Sequence, residues 1–357
     1  MAPLYSLSPP PPTKLGRYRL LSPLAGVRVS PFQLGAMSIG NKWHEFGIGS
    51  MDKTNSFKLL DAYFDAGLSS GRKHQDESSE AFIGEWAEKR GIRDQLVITT
   101  KYSTNYKRGQ SDITHMVNYS GNGSKSLHVS VEASLKKLRT TYIDILNQGK
   151  VLYLANQYAK DHGKMPFSVY QGSWSIFERS LERDIIPMAR SEGLALAPWG
   201  VLAGGKIQTN AEEARRKGSG EKGRTTFDPE WERTMEQKRC ATCLKRSRRN
   251  KWKPRISQLS GFQFDHPYTV AIAYHLHKLS YVFPIIGGRK VEHLKENIAA
   301  LDISLTAKQI KRIGNATPFD LGFPYNMFGD NTTDNYVAQC TARCDRVPLQ
   351  QPITPVK

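Results

Sequence analysis

Short apolar segments alternate with amphipathic helical patterns along most of this chain, and this alternation limits the fold more than any other feature. Strands alternating with helices are typical of a parallel sheet that is covered by helices. We therefore predict an α/β fold. A chain of 357 residues is long enough for one large barrel or for two smaller domains. The predicted buried strands lie at 31–39, 95–102, 142–146, 167–174, 194–199 and 281–286.

Two segments break the alternation. Residues 68–75 (LSSGRKHQ) stand where a strand is due but hold a single aliphatic residue, so we predict a loop there. Residues 142–146 (YIDIL) and 151–154 (VLYL) both resemble strands, yet four residues separate them. A parallel crossover needs about a dozen residues, whereas four suit an antiparallel hairpin. The pattern thus predicts roughly seven strands where a closed barrel of this type needs eight.

The start of the chain differs from the rest. Residues 1–16 include the proline run at 9–12 and predict a flexible arm, and residues 18–29 predict a short hairpin ahead of the main fold. The first residues lack a continuous apolar stretch, so we expect no signal peptide and a cytoplasmic protein. No segment approaches the roughly 20 apolar residues of a membrane span, so we expect no membrane partner.

Positive charge is concentrated in one part of the chain. Nine Lys or Arg residues and no acidic residue lie between Lys238 and Arg255, which accounts for half of the net charge of +18. We interpret residues 238–264 as an irregular, solvated basic insert in a single domain at 17–330, followed by a tail at 331–357. The aromatic pattern of an RNA-binding fold does not accompany the charge, so we expect no nucleic-acid partner.

The four cysteines form the pairs Cys240 with Cys243 and Cys340 with Cys344. Their spacing is compatible with zinc, but no nearby histidine or acidic cluster supports a metal centre. Four cysteines in a chain of this length also do not indicate a disulfide scaffold. We therefore expect neither a metal site nor a disulfide framework.

The clearest candidate site is residues 285–293 (IIGGRKVEH), where a strand ends and a helix begins. Gly287 and Gly288 give a ligand close access to the backbone, and Arg289 and Lys290 add positive charge. A helix N-terminus has partial positive charge and free N–H groups, so it attracts phosphate. Paired glycines alone would also suit an ordinary turn. Together these features favour a nucleotide phosphate.

Six segments resemble the aldo-keto reductases, and in particular the fungal aryl-alcohol dehydrogenase branch that includes norsolorinic acid reductases. The resemblance implies a (β/α)₈ TIM-type barrel that binds NADP(H) without a Rossmann domain. Compared with that family, the second strand and the fourth strand–helix unit look damaged, so we expect an incomplete barrel. The resembling segments are 15–26 (LGRYRLLSPLAG), 27–40 (VRVSPFQLGAMSIG), 167–174 (FSVYQGSW), 194–206 (LALAPWGVLAGGK), 285–301 (IIGGRKVEHLKENIAAL) and 318–330 (PFDLGFPYNMFGD).

The resemblance also implies cofactor-binding residues. Gln171 would contact the nicotinamide amide, and Trp199 would stack on the nicotinamide ring. The residues that would line the pyrophosphate are Gly200, Val201, Leu202, Ala203, Gly204, Gly205 and Lys206. Those that would hold the adenosine 2′-phosphate end, next to Gly287 and Gly288, are Arg289, His293, Glu296 and Asn297. Simpler alternatives stay open: Trp199 as a core residue and Glu296 as a solvated charge.

The family's catalysis uses an aspartate, a tyrosine, a lysine and a histidine. The tyrosine protonates the carbonyl oxygen while the coenzyme delivers hydride, and the lysine lowers the tyrosine pKa. Lys101 matches the lysine. The other three do not match, and His74, just before QDESSE at 75–80, takes the tyrosine's position. His74 is either an exposed loop residue or a substitute proton donor, because imidazole titrates near pH ~6.5.

These observations leave three functions open. The first is an NADPH-dependent reductase of an aryl aldehyde or polyketide ketone, as in mycotoxin biosynthesis. The second is a catalytically silent relative that retains at most NADPH binding. The third is a basic module that binds RNA or other anions, which only the charge at Lys238 to Arg255 supports. The departures from the family come as whole blocks between intact segments, which indicates a damaged or mis-spliced gene.

Overall fold

The structure is a computed structural model. It describes residues 6–41, 50–72, 77–107, 110–147, 152–219, 232–249, 267–328, 332, 340, 345 and 347–355. No helix in these ranges is long and apolar enough to cross a membrane.

The described residues form short strands and longer helices that alternate along the chain. The strands are β1 (Arg19–Ser22), β2 (Ala25–Val29), β3 (Gln33–Gly35), β4 (Ser70–Arg72), β5 (Val97–Lys101), β6 (Ile145–Asn147), β7 (Val169–Tyr170), β8 (Ala195–Leu196) and β9 (Ile285–Ile286). The helices are α1 (Lys53–Asp65), α2 (Ser78–Arg90), α3 (Ser124–Leu138), α4 (Leu152–Asp161), α5 (Ile185–Glu192), α6 (Asn210–Ser219), α7 (Met235–Arg249), α8 (Pro267–Lys278), α9 (Val291–Ile298), α10 (Ala307–Gly314) and α11 (Tyr325–Phe328).

The strands from β3 onward are parallel and lie side by side. β6, β5, β4, β3 and β9 form one sheet in that order, and β7 pairs with β8. A bridge between Leu196 and Val282 joins the two groups, and the Ile285 N–H donates to the Pro198 oxygen at 2.8 Å. The order is therefore β7-β8-β9-β3-β4-β5-β6. Within the described ranges, no ladder joins β6 to β7, so a closed barrel is not found there.

The predicted hairpin is present as β1 and β2, which pair antiparallel. Its buried residues Leu21 and Val29 pack in one cluster with residues from the starts of other strands. These residues come from both sides of the position between β6 and β7: Val97 of β5 on one side, and Val169 of β7 and Ala195 of β8 on the other. Burying a side chain of this size contributes about 1.5–3 kcal/mol. The hairpin thus covers the amino-terminal ends of the parallel strands.

The prediction of a loop at 68–75 is wrong for its middle, because β4 occupies Ser70–Arg72 between β3 and β5. Backbone pairing holds this strand, which is parallel to β3 on one side and β5 on the other. Just before it, the Ser69 oxygen accepts from the Val97 N–H at 2.6 Å, and the Ser69 N–H donates to the Ser30 side chain at 2.9 Å. Periodicity could not reveal the strand, since it reports side-chain burial and not backbone pairing.

A void lies beside Ser69, the residue before β4, in the layer between the sheet and its helices. An apolar cavity of about 40 Å³ lies beside Ser69, between Leu60 and Tyr63 of α1 and Ile83 and Trp86 of α2. A buried parallel strand would normally fill such a space with Val or Ile. The unusual segment therefore weakens the packing of this layer without removing the strand.

The prediction of a strand at 151–154 is also wrong, because α4 begins at Leu152. Asn156 and Ala159 face the protein interior at helical spacing. The Asn156 side chain accepts from the Phe167 N–H at 2.8 Å and donates to the Phe167 oxygen at 3.3 Å, which ties the helix to the segment entering β7. A short apolar run is equally compatible with a buried helix, so the pattern alone was ambiguous.

The prediction of an irregular insert from residue 238 is corrected by α7, which continues to Arg249. Cys240, Ala241 and Leu244 are buried along one side of this helix, and Cys240 and Leu244 belong to the same core cluster as Val270 of α8. Because charged residues surround them, the helical spacing of these apolar residues could not be recognised in the sequence. The remainder of the predicted insert, 250–264, lies outside the described residues.

The end of the predicted arm packs against the domain. Thr13 donates to the Ala66 oxygen at 2.6 Å, Leu15 is fully buried, and Lys14 pairs with Asp302 at 2.6 Å. Residues 13–16 are therefore part of the folded structure. The proline run just before them gave no sign of these contacts, which join residues more than fifty positions apart.

Candidate functional site

The predicted site residues that the structure describes follow the carboxyl ends of the parallel strands. Lys101 closes β5, Gln171 follows β7, Trp199 follows β8, and Gly287 follows β9. Because parallel strands end at the same edge of a sheet, the fold gathers these residues along one side. This edge is the candidate site.

The glycine corner after β9 is built by close backbone contacts. A Cβ added at Gly287 would lie 3.2 Å from the Gly35 oxygen at the end of β3. At Gly288 it would lie 3.4 Å from the His293 Cβ, so His293 folds back over the turn. Position 287 is therefore tight for a larger residue, whereas a Cβ at position 288 would make an ordinary contact.

Helix α9 begins directly after this corner. Its N-cap residue, Lys290, makes no side-chain capping hydrogen bond, and Arg289 before it is exposed. The N–H groups of a first helical turn need partners from outside the helix. The start of α9 together with Arg289 therefore fits a phosphate.

Trp199 is held by its backbone and presents its ring to solvent. The Trp199 N–H donates to the Gly172 oxygen at 2.9 Å, and its own oxygen accepts from the Trp174 N–H at 3.1 Å. The side chain is nevertheless 41% exposed. The alternative of a core tryptophan is thus wrong for this residue. An exposed indole on a backbone bonded to Gly172, the residue after Gln171, suits stacking against a planar ring.

The segment after Trp199 forms a compact turn rich in left-handed backbone. Gly200, Ala203, Gly204 and Gly205 all have positive φ, between +50° and +91°. The Ala203 N–H donates to the Gly200 oxygen at 2.6 Å. Successive N–H groups in such turns form concave sites for anions.

The same segment is anchored on its other side. Val201 is buried in the core beneath the sheet, and Leu202 and Ala203 pack against the cluster that includes Ile207. Lys206 is half-buried at the end of the turn. This anchoring fixes the turn before any ligand binds, which reduces the ordering that binding requires.

Glu296 and Asn297 lie two turns or less into α9. Asn297 is buried, and Glu296 accepts a hydrogen bond from the Tyr268 hydroxyl of α8. Burial, followed by this hydrogen bond and the charge of Glu296, raises the pKa of Tyr268, so the hydroxyl remains a donor. Glu296 is therefore a partnered carboxylate, and the alternative of a solvated charge is wrong.

Lys101 is half-buried and lies opposite Asn147 of β6. One residue before it, Thr100 donates to Glu80 at 2.5 Å, and Lys137 of α3 pairs with the same carboxylate at 2.8 Å. Glu80 is 3% exposed. It fixes α2 and α3 against the end of the strand that carries Lys101. Sequence reasoning missed Glu80, because a glutamate near a helix start normally indicates only a capping residue.

His74, the candidate proton donor, lies outside the described residues. A tyrosine–lysine–carboxylate array is present elsewhere: Lys278 Nζ lies 2.8 Å from the Tyr274 hydroxyl and 2.6 Å from Glu182 Oε1. Burial raises the pKa of Tyr274, which is 1% exposed. Glu182 Oε1 also accepts from the indole N–H of fully buried Trp174 at 3.1 Å. The array is therefore enclosed among buried side chains.

The chain is similar to proteins of one family along most of its length. The aldo/keto reductase family model matches residues 31–148 and 152–317. Aryl-alcohol dehydrogenase (NADP⁺) of Phanerodontia chrysosporium is 47% identical, covering 99% of this chain and 100% of the relative. An aldo-keto reductase of Aspergillus calidoustus is 42% identical, covering 94% and 90%. Norsolorinic acid reductase A of Aspergillus parasiticus is 39% identical, covering 98% and 96%.

The alignments also locate a difference from these proteins. The alignment to aryl-alcohol dehydrogenase spans 395 positions, more than the 357 residues of this chain. The relative therefore has segments without a counterpart here. The family match is interrupted between residues 148 and 152, after β6 and before α4. This is the position where no ladder joins β6 to β7 in the described ranges.

Proposed function

The chain belongs to the aldo/keto reductase family, and from that premise we propose that it binds NADP(H) along the edge formed by the ends of β7, β8 and β9. The observation that carries the proposal is the glycine corner, where Gly287 and Gly288 lead directly into the start of α9 beside exposed Arg289. We also propose that the chain forms the family's barrel of eight strand–helix units, with the fourth unit shortened.

Each part of the edge has a role toward the coenzyme. Arg289 and His293 hold the 2′-phosphate, and Glu296 and Asn297 contact the adenosine. The turn at 200–206 binds the pyrophosphate. Gln171 and the exposed ring of Trp199 hold the nicotinamide. The coenzyme, when bound, supplies a hydride to the carbonyl carbon of a substrate.

The proposed substrate is an aryl aldehyde or a polyketide ketone, as in a cytoplasmic enzyme of mycotoxin biosynthesis. The names of the relatives support this class, since they include an aryl-alcohol dehydrogenase and a norsolorinic acid reductase. For its part in the reaction, the chain must supply a proton to the carbonyl oxygen. His74 holds the sequence position of the donor, and Lys101 places a positive charge at the end of β5.

A second candidate function is a catalytically silent relative that binds NADPH without turnover. The unmatched aspartate, tyrosine and histidine favour it, as does the burial of Tyr274 within its array. Removing a proton donor lowers a rate by about 10²–10⁴-fold. The two candidates share the coenzyme site and differ in turnover.

One experiment separates these functions. NADPH titrated into the purified full chain is expected to quench tryptophan fluorescence, because Trp199 is exposed at the site. Reduction of 4-nitrobenzaldehyde is then followed by NADPH absorbance for the wild type, His74→Ala and Lys101→Met. Turnover that both substitutions abolish supports the reductase. Quenching without turnover supports the silent relative, and failure of the wild type to bind NADPH refutes the coenzyme proposal.

A further inference from the structure

A buried tryptophan completes the backbone pairing that joins the ends of β7 and β8. The chain stays paired past the last residue of each strand, where the Trp199 N–H donates to the Gly172 oxygen at 2.9 Å. The next bond runs from the Trp174 N–H to the Trp199 oxygen at 3.1 Å, and it is the last of this series in the described residues. Trp199 is therefore held by one inner bond and one terminal bond.

The side chain of Trp174 is fixed inside the protein. It is fully buried, and its indole N–H donates to Glu182 Oε1 at 3.1 Å. The ring of His275 packs against it edge-to-face, with the ring centroids 4.8 Å apart. An indole has a single N–H donor and no acceptor. The position of Glu182 therefore sets the one polar contact that the Trp174 ring can make.

Glu182 is in turn held by two cations. Arg179 donates to both of its oxygens, at 3.0 and 2.8 Å, and Lys278 Nζ donates to Oε1 at 2.6 Å. Burial opposes the ionisation of Glu182, but its bonds to Arg179 and Lys278 hold its pKa at about 2. Hydrogen bonds to an ionised group are stronger than those between neutral groups. The carboxylate is thus a fixed acceptor for the indole at any pH near neutral.

The terminal bond is the one that depends on this anchor. A hydrogen bond at the end of a ladder opens more readily than an inner one, because it has a neighbouring bond on one side only. The Trp199 side chain is 41% exposed, so the backbone that carries it sets much of its direction. Gln171 lies on the same paired segment, one residue before Gly172. Opening of the terminal bond would therefore loosen the proposed nicotinamide contacts.

We propose that Trp174, anchored by Glu182, is a positioning residue for the nicotinamide half of the coenzyme, because it keeps the terminal bond to Trp199 closed. Being fully buried, Trp174 acts through Trp199 and not by contact with the coenzyme. The proposed adenosine end follows a different strand, β9, and does not depend on this bond. The inference rests on the proposed NADP(H) site and adds to it a residue that lies beneath the site.

The test compares two ligands on the purified full chain by isothermal titration calorimetry. They are NADPH and 2′-phospho-ADP-ribose, which retains the rest of the coenzyme and lacks the nicotinamide. Trp174→Phe keeps a buried aromatic ring and removes the indole donor. It is expected to raise the Kd for NADPH about 2–10-fold, the effect of one hydrogen bond. The Kd for 2′-phospho-ADP-ribose should not change, whereas a role in stability alone would change both values or neither.

Trp86→Phe is the matched control. Trp86 is also buried, and its indole N–H donates to a carboxylate, Asp61 Oδ1, at 2.8 Å. This bond joins α2 to α1, away from the ends of β7 and β8. The variant removes the same kind of bond from the protein, and both Kd values should stay as in the wild type.

A second substitution covers the case in which Trp174→Phe does not fold. Benzothienylalanine at position 174 retains the bicyclic ring and lacks only the N–H donor, so it is expected to give the same selective loss. Equal changes for the two ligands, or an unchanged Kd for NADPH in a folded variant, overturn this inference while the coenzyme site stands. A wild type that binds neither ligand overturns both.

Discussion

Arg289 provides the sharpest test at the scale of one residue. Arg289→Ala removes the exposed charge beside the start of α9 and is expected to raise the Kd for NADPH about 10–100-fold, since a charge-assisted hydrogen bond contributes about 1.5–3 kcal/mol. The Kd for NADH should change little, because NADH has no 2′-phosphate. Arg312→Ala, at an exposed position on α10, is the matched control. Equal losses for NADPH and NADH would contradict the assignment.

Residues with local patterns could be predicted from the sequence, and residues with distant partners could not. Gly287, Gly288 and Trp199 each follow a predicted strand, because the apolar residues just before them indicate where the strand ends. Tyr268 and Glu80 act through partners 28 and 20 positions away. Nothing in a single sequence connects such pairs. The strand ends that carry the candidate residues could therefore be located in advance, and the assignment of these residues to a site stays a prediction. The groups that hold neighbouring side chains in place became visible only in three dimensions.

At the scale of elements, the departures from prediction arise where the hydrophobic pattern of a segment is weak or too short. β4 and α7 carry polar or charged residues where apolar ones are usual, and α4 carries apolar residues in too short a run to define a period. β4 is nevertheless a strand because its backbone pairs with β3 and β5. α7 is nevertheless a packed helix because Cys240, Ala241 and Leu244 are buried along one side. Strands with ordinary buried composition, such as β5, agree with their predicted positions apart from their ends.

The cavity beside Ser69 gives a prediction for this layer. Ser69→Val places two methyl groups toward the void between α1 and α2, and is expected to stabilise the protein by about 1 kcal/mol relative to Ser69→Ala. Comparison with Ala isolates the effect of filling, because both substitutions remove the same hydroxyl. The free energy of unfolding from urea titration is the measurement. A valine variant that is no more stable than the alanine variant would show that a side chain at position 69 cannot fill the cavity.

The whole molecule should lose stability in mild acid because of two buried histidines in α8. His275 and His277 each direct Nδ1 to a backbone oxygen, and Nε2 of each has no partner. Burial lowers the pKa of His275 to about 4 and also lowers the pKa of His277. The unfolded chain, whose imidazoles titrate near pH ~6.5, therefore binds protons that the folded chain excludes.

Stability is accordingly expected to be full above pH ~6.5 and to fall as the pH approaches 4, by up to about 3 kcal/mol from His275. Urea unfolding at pH 7.5, 6 and 5 measures the loss. Burial opposes ionisation of Glu182, but its bonds to Arg179 and Lys278 hold its pKa at about 2, so its stabilising effect is lost only at lower pH. His275→Leu should flatten the profile between pH 6.5 and 5, whereas exposed His128→Gln should not. A flat wild-type profile would contradict the expectation.

The hairpin of β1 and β2 has a consequence for how this lineage can change. Among the residues that the structure describes, no ladder joins β6 to β7, and the hairpin packs in one cluster with Ile145 of β6 and Val169 of β7, on both sides of that position. We expect such a contact to keep the flanking strands aligned when a repeat between them is lost. The same scaffold is a natural recipient for a transplanted repeat: a strand–helix unit taken from a relative and spliced after Asn147 meets flanking strands that are already set.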